Sequence, residues 1–222
     1  MKYFDYIDED LRSEEVSIKD IAKNIPTPFY CYSANAFKNN FNVLKNAFKD
    51  LELKICYATK SNSNLSILNI LQKEGAGVDV VSAGELRKSL MANISPQDIV
   101  FSGVGKTYEE IEYAISNNIF QINVESVSEL SAINKIAHKL NLVQQIGIRL
   151  NPDIAGKTHK NISTGSLSDK FGIPFDEVEE IFLNREIFSN LNIVGIAFHI
   201  GSQILDIEPF QAVFKKTNEL LK

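Results

Sequence analysis

Short apolar runs closed by polar turn residues recur along the chain at a steady interval. They are "KICYAT" from 54, "VDVVS" from 78, "IVFSG" from 99, "QINVES" from 121 and "IGIRLN" from 146, with starts 24, 21, 22 and 25 residues apart. Runs of this length, rich in β-branched residues, read as buried strands. Each gap carries apolar residues at helical spacing: Leu65, Leu68 and Leu71; Leu86 and Leu90; Ile111, Ala114 and Ile115; Leu130, Ile133, Ile136 and Ala137. Ser82 with Glu85, Thr107 with Glu110, and Ser126 with Glu129 fit the S/T-x-x-E capping box that opens a helix. A sixth run, "NIVGIAFHI", starts near 192, after a polar stretch over 151 to 170 and a helical pattern over 176 to 188. A last helical pattern, "EPFQAVFKKTNELL", follows it. Alternating strands and helices predict an α/β domain on a parallel sheet. Periodicity leaves an open doubly wound sheet and a closed barrel equally possible. The first 35 or so residues differ: an acidic stretch, then "PTPFYCYS", which reads as a short strand.

Composition narrows the classes. The chain has 222 residues, 44% hydrophobic and 23% charged, with a net charge of −5. That balance gives no electrostatic reason to expect nucleic acid. No apolar run reaches bilayer length, and "MKYFDYIDEDLRSEE" lacks the apolar segment of a signal peptide. A cytoplasmic protein without a membrane partner is expected. Cys31 and Cys56 sit in strand-like runs and read as reduced, buried thiols. His138, His159 and His199 show no compact ligand spacing, so no metal site is expected.

Candidate chemistry gathers where the strands end, the rim at which parallel sheets and barrels bind ligands. The first strand offers Lys60, the second Asp79 and Ser82, the third Ser102 and Gly103, the fourth Asn123 and Glu125. The fifth offers Arg149 and Asn151, the sixth His199, Ser202 and Gln203. Taken singly, each has a plain reading: a solvated lysine at a strand tip, helix caps at Ser82 and Glu85, an ion-paired arginine, a core histidine. Asp79 lies inside an apolar strand, where a carboxylate needs a partner. The turn after the first strand, "KSNSN", is not the glycine-rich turn of a dinucleotide site. "SGVGKT" at 102 to 107 has Val100 where a phosphate-binding P-loop needs glycine, so that reading fails. A lysine, a histidine, an arginine and an aspartate on one rim suit a cofactor with a carbonyl, a ring and a phosphate, such as pyridoxal 5'-phosphate. A sugar-phosphate aldolase with a Schiff-base lysine would suit them as well.

"YATKSNSN", "GVDVVSAGEL", "RLNPDI", "THKNISTGSLSDKFGI" and "FHIGSQILDIEPF" together resemble the diaminopimelate decarboxylase family, fold-type III pyridoxal-phosphate enzymes of the alanine-racemase-like class. The resemblance runs from about residue 26 to the end. It implies a (β/α)8 TIM-type barrel, a homodimer, and conversion of meso-2,6-diaminopimelate to L-lysine and carbon dioxide. It implies that Lys60 carries the cofactor as a Schiff base and that His199 packs on the ring face. It implies that Ser202 helps hold the phosphate, and that Asp79, Glu85 and Arg149 lie near the ring and the reacting lysine. Lys170 resembles a residue that pairs across the dimer interface.

The chain departs from that pattern in extent. From Lys54 to Lys222 there are 169 residues (222 − 54 + 1), against about 250 for a typical barrel. About six of eight strands are expected, as an incomplete barrel over 36–222, with 1–35 belonging to a β-domain otherwise missing. The expectation is a fragment with little or no activity of its own. Rival readings are a related fold-type III decarboxylase of another basic amino acid, and a non-catalytic pyridoxal-phosphate-binding protein.

Overall fold

A computed structural model describes residues 2–154, 171–202 and 204–220. Lys170, His159 and Gln203 lie outside the described residues.

The N-terminal region forms a small antiparallel sheet of β1 (Phe4–Ile7), β2 (Asp10–Ser13) and β3 (Val16–Ser17). Asp8 and Glu9 join β1 to β2 with φ of 48° and 61°. Positive φ at both central residues is the primed hairpin turn, which usually announces itself as Asn-Gly or Asp-Gly. Asp-Glu gives no such signal, and the hairpin was not expected. Ser17 caps α1 (Ile18–Asn24). The strand expected at "PTPFYCYS" is absent: residues 26–33 carry no regular structure. Pro26 and Pro28 have no N–H to give a ladder. Cys31 therefore lies outside any strand, and Cys56 within one. Ser33 caps α2 (Ala34–Ala47). The Glu14 carboxylate accepts from Ser33 Oγ at 2.6 Å and from the Asn35 N–H and Nδ2, both at 2.8 Å, tying the small sheet to the first turn of α2.

The remaining chain alternates as expected. It runs β4 (Cys56–Ala58), α3 (Leu65–Lys73), β5 (Gly77–Val80), α4 (Ala83–Met91), β6 (Ile99–Phe101) and α5 (Tyr108–Ser116). Then come β7 (Gln121–Val124), α6 (Val127–Lys139), β8 (Gln144–Arg149), α7 (Phe175–Leu183), β9 (Leu191–Ala197) and α8 (Glu208–Leu220). The six strands form one parallel sheet in the order β4-β5-β6-β7-β8-β9. A doubly wound sheet reverses its order at a switch point. A strictly sequential order is that of a (β/α) barrel, six of its eight strands. Among the described residues no helix is long and apolar enough to cross a membrane.

The strands alternate in character. Val78, Val80, Ile99, Phe101, Ile122, Val124, Ile146 and Ile148 are buried in one core cluster with the helix residues Leu68, Leu86, Ile111, Leu130 and Ile133. Each such side chain stabilises the fold by about 1.5–3 kcal/mol relative to exposure. The residues alternating with them are polar or glycine on β5, β7 and β8, namely Asp79, Gln121, Asn123, Gly147 and Arg149, while β6 has Val100 there. Period-two alternation therefore sends one set into the core and keeps the other for the opposite face.

Gly77 marks a close approach. It pairs with Cys56, and a Cβ there would stand 2.6 Å from the Asp98 carbonyl oxygen and 3.0 Å from Cys56 Sγ. A backbone oxygen has little room to give. Gly77→Ala is expected to destabilise the protein by about 1–3 kcal/mol, as overpacking does, read as a lower denaturation midpoint. Gly84→Ala, whose Cβ would meet only Ser82 Oγ at 3.7 Å, is expected to leave that midpoint in place or raise it.

Candidate active site

The lysine that ends "KICYATK" leaves the sheet in a single tight turn. After β4 the chain makes one 3-10 turn, Thr59–Ser61, with Lys60 at its centre. Thr59 is fully buried; its hydroxyl donates to Glu85 Oε2 at 2.6 Å and lies 2.9 Å from the Asp79 carbonyl. Ser61 Oγ donates to the Ala58 carbonyl at 2.7 Å. The residues on either side of Lys60 are thus fixed while Lys60 itself is exposed at the mouth of the sheet.

Lys60 opens onto a cavity of about 710 Å³. Asp79, Ser102, Asn123, Arg149, His199 and Ser202 line it as well, together with Phe171 and Phe198. Five of the expected site residues (Lys60, Asp79, Arg149, His199 and Ser202) therefore converge. Glu85 stands behind the mouth rather than in its wall: its Oε2 is taken by Thr59 and by the Val81 N–H at 2.9 Å.

Asp79 sits on β5 opposite Ala58, so its carboxylate shares the mouth with Lys60. Its Oδ1 accepts from Ser102 Oγ at 2.6 Å. Burial raises its pKa above the ordinary aspartate value and the Glu85 charge adds to this, while the Ser102 hydrogen bond and the Lys60 charge oppose. The same dry environment pushes the Cys56 thiol up to about 11, burial first and the Asp79 charge second.

Arg149 ends β8. Its Nη1 donates to Glu125 Oε1 at 2.6 Å, and its guanidinium lies 5.3 Å from the centre of the Phe171 ring. Glu125 is buried; its Oε1 also accepts from the Gly103 N–H at 3.1 Å, and its Oε2 has no partner among the described residues. A buried carboxylate and an aromatic face thus fix the guanidinium from two sides. His199, just past β9, has its pKa lowered, chiefly by desolvation and then by the positive charges of Arg149 and Lys60. The neutral imidazole is favoured at pH 7. Ser202 is exposed at the same mouth. His138 lies away from it, exposed on α6 beside Asn190 Oδ1 at 3.2 Å.

The three capping signatures turn out unequal. Thr107 and Glu110 form the reciprocal box. Ser82 and Ser126 cap α4 and α6, but their φ of −158° swings the backbone away. Their glutamates reach one residue further back, Glu85 to the Val81 N–H and Glu129 to the Glu125 N–H at 2.6 Å. Each of the three also grips the preceding unit: Glu85 holds Thr59, Glu110 the Ala83 N–H, and Glu129 the Lys106 ammonium. Lys106, within the failed P-loop match, has a wholly buried side chain that bonds to Gly103 O, Asn123 O and Glu129 Oε1 at 2.6, 2.8 and 2.7 Å. Nothing in the sequence marked it. Phe171 was missed too, because it adjoins a polar stretch without strand or helix pattern.

The family described as pyridoxal-dependent decarboxylase, pyridoxal binding domain, matches residues 34–222. A diaminopimelate decarboxylase from Aquifex aeolicus is 44% identical over 218 residues, 98% of this chain and 51% of that protein. One from Helicobacter pylori is 45% identical over 204 residues, 92% and 50%. The chain spans about half the length of the curated relatives it matches. A crystal structure of the Helicobacter pylori enzyme complexed with L-lysine superposes with a TM-score of 0.88 at 45% identity, covering 91% of this chain and 52% of that one. The enzyme from M. jannaschii, in co-complex with L-lysine, gives 0.88 at 36% identity, covering 98% and 53%.

Proposed function

The chain belongs to the pyridoxal-dependent decarboxylases, through their pyridoxal-binding domain, and from that premise we propose that its gene product decarboxylates meso-2,6-diaminopimelate to L-lysine and carbon dioxide. The observation that carries this reading is the convergence of Lys60, Asp79, Arg149, His199 and Ser202 on one cavity.

The residues fit pyridoxal 5'-phosphate. A cavity of about 710 Å³ is of the size that takes a cofactor with a small substrate. It offers one primary amine, one guanidinium, one imidazole and the Ser202 hydroxyl, a donor set matched to an aldehyde, an anionic ring oxygen and a phosphate. When bound, the cofactor supplies the electron sink for the pair left behind as carbon dioxide departs. Lys60 would hold it through its Nζ amine. His199 would offer a neutral ring to it, and Ser202 a hydroxyl to its phosphate. Arg149 and Asp79 set the charge around its ring, and Glu85 keeps the Lys60 turn in place through Thr59. The cytoplasm and a homodimer with Lys170 at its interface complete the reading, as does a β-domain to which residues 1–35 contribute.

The test is a substrate panel on the whole gene product with pyridoxal phosphate. Carbon dioxide release is expected from meso-2,6-diaminopimelate with L-lysine as product, and little from L-ornithine, L-arginine or L-lysine. Faster release from one of those three overturns the substrate assignment. No release from any of them favours a binding protein over an enzyme.

A further inference from the structure

Behind the Ser102 hydroxyl that meets Asp79 stand two further polar side chains in line with it. Gln121 and Asn123 lie on β7, and Ser102 just past β6. Gln121 Nε2 donates to Asn123 Oδ1 at 2.7 Å, Asn123 Nδ2 to Ser102 Oγ at 2.9 Å, and Ser102 Oγ to Asp79 Oδ1 at 2.6 Å. The direction of this line follows from the groups themselves. An ionised carboxylate only accepts, so the single hydroxyl proton of Ser102 goes to Asp79. The hydroxyl oxygen then accepts from Asn123, which can give a proton only from its amide nitrogen. That leaves Asn123 Oδ1 facing the Gln121 amide. Side chain–side chain bonds are a minority of protein hydrogen bonds, and three in series across neighbouring strands require space. β8 provides it. Gly147 pairs with Asn123, and a Cβ there would stand 2.5 Å from Gln121 Nε2 and 2.8 Å from Asn123 Oδ1.

We propose that Gln121, Asn123 and Ser102 are positioning residues that act through Asp79, orienting its carboxylate in the mouth it shares with Lys60 and committing a proton donor to it. The proposal rests on the reading of Lys60 and Asp79 as cofactor-handling groups. Four other groups face Asp79: Lys60 from the turn after β4, Lys106 from the loop after β6, Glu85 from α4, and Cys56 on β4. Burial and Glu85 raise the Asp79 pKa, whereas the Ser102 bond, Lys60 and Lys106 lower it. Of these influences, the Ser102 bond is the one that the Asn123 and Gln121 side chains support.

The experiment is a carbon-13 NMR titration of the Asp79 carboxyl in the cofactor-free chain, with the resonance assigned by its loss in Asp79→Asn. Ser102→Ala is expected to raise the midpoint by about one pH unit, the scale of one hydrogen bond to a charged group. Asn123→Leu and Gly147→Ala are expected to raise it less, in the same direction, and Ser102→Thr to restore it. Gly147→Ala adds a methyl group against flexible side-chain ends, so it tests the line if Ser102→Ala fails to fold. With pyridoxal phosphate present, the acid limb of chromophore formation is expected to move with the midpoint. An unmoved midpoint in Ser102→Ala overturns the proposal. A shift in Ser102→Ala alone, with Asn123→Leu and Gly147→Ala unmoved, overturns the relay and leaves a single hydrogen bond. Failure to bind pyridoxal phosphate would sink the functional reading, while the cofactor-free midpoints would still judge the relay.

Discussion

Lys60→Ala is expected to abolish the absorbance band expected of the wild-type protein with pyridoxal phosphate and, in the whole gene product, to lower the proposed decarboxylation roughly ten-thousandfold or more. The size follows from what is removed. On the proposed reading Lys60 is the point of covalent attachment, and deleting such a residue acts on that scale. Lys60 lies in a turn whose flanking residues are pinned by Glu85 and by the Ala58 carbonyl, so truncating its exposed side chain leaves the fold alone. Lys60→Arg sharpens the result. It keeps the charge, but a guanidinium does not lose its proton in a protein and cannot make the bond. The band is expected to be absent there too. Thr59→Val and Glu85→Gln, which loosen the turn without touching the amine, are expected to keep the band and to weaken cofactor affinity. A band of wild-type strength in Lys60→Ala would show that the amine is not the point of attachment.

What the sequence reveals of this site is its rim. The strand beat places Lys60, Asp79, Ser102, Asn123, Arg149 and His199 at strand ends, and strand ends of a parallel sheet meet in one place. That inference needs only the period of the pattern. It fails where a partner is decided by distance across the sheet. Glu125 and Glu129 look alike in the sequence, yet one holds Arg149 and the other a buried lysine. Three identical capping signatures diverge because two N-caps adopt an extended φ that spacing does not encode. The N-terminal hairpin escapes for a related reason. Its turn takes positive φ at Asp8 and Glu9, residues that carry no glycine signal. "PTPFYCYS" misleads in the opposite sense, since its aromatic residues suggest a strand that its prolines cannot complete. Lys170 and its proposed interface fall outside the described residues.

Lys106 shows how much of the rim depends on a residue that only the fold identifies. Its ammonium has three N–H donors and meets three acceptors, and its side chain is 0% exposed. Two of those acceptors are backbone carbonyls of Gly103 and Asn123; the third is the Glu129 carboxylate, itself 12% exposed. Lys106→Met keeps most of the side-chain volume and removes the charge. Two half-buried carbonyls and a carboxylate are then left without this donor, and breaking a buried pair from one side costs about 3–5 kcal/mol. Against a total stability of about 5–15 kcal/mol, that is a large share. The expected result is a denaturant midpoint lowered accordingly at unchanged slope. Lys106→Met with Glu129→Gln is expected to lose less than the sum of the two single changes, by about 1 kcal/mol or more, because the second change neutralises the stranded charge. Strict additivity would mean that the two groups do not interact in solution. The same substitution reaches the site. Lys106 holds the Asn123 backbone while the Asn123 side chain holds Ser102, and its charge is one of those that lower the Asp79 pKa. Lys106→Met is therefore expected to raise the Asp79 midpoint along with the loss of stability, so that the residue securing the sheet's mouth also sets the ionisation of the carboxylate within it.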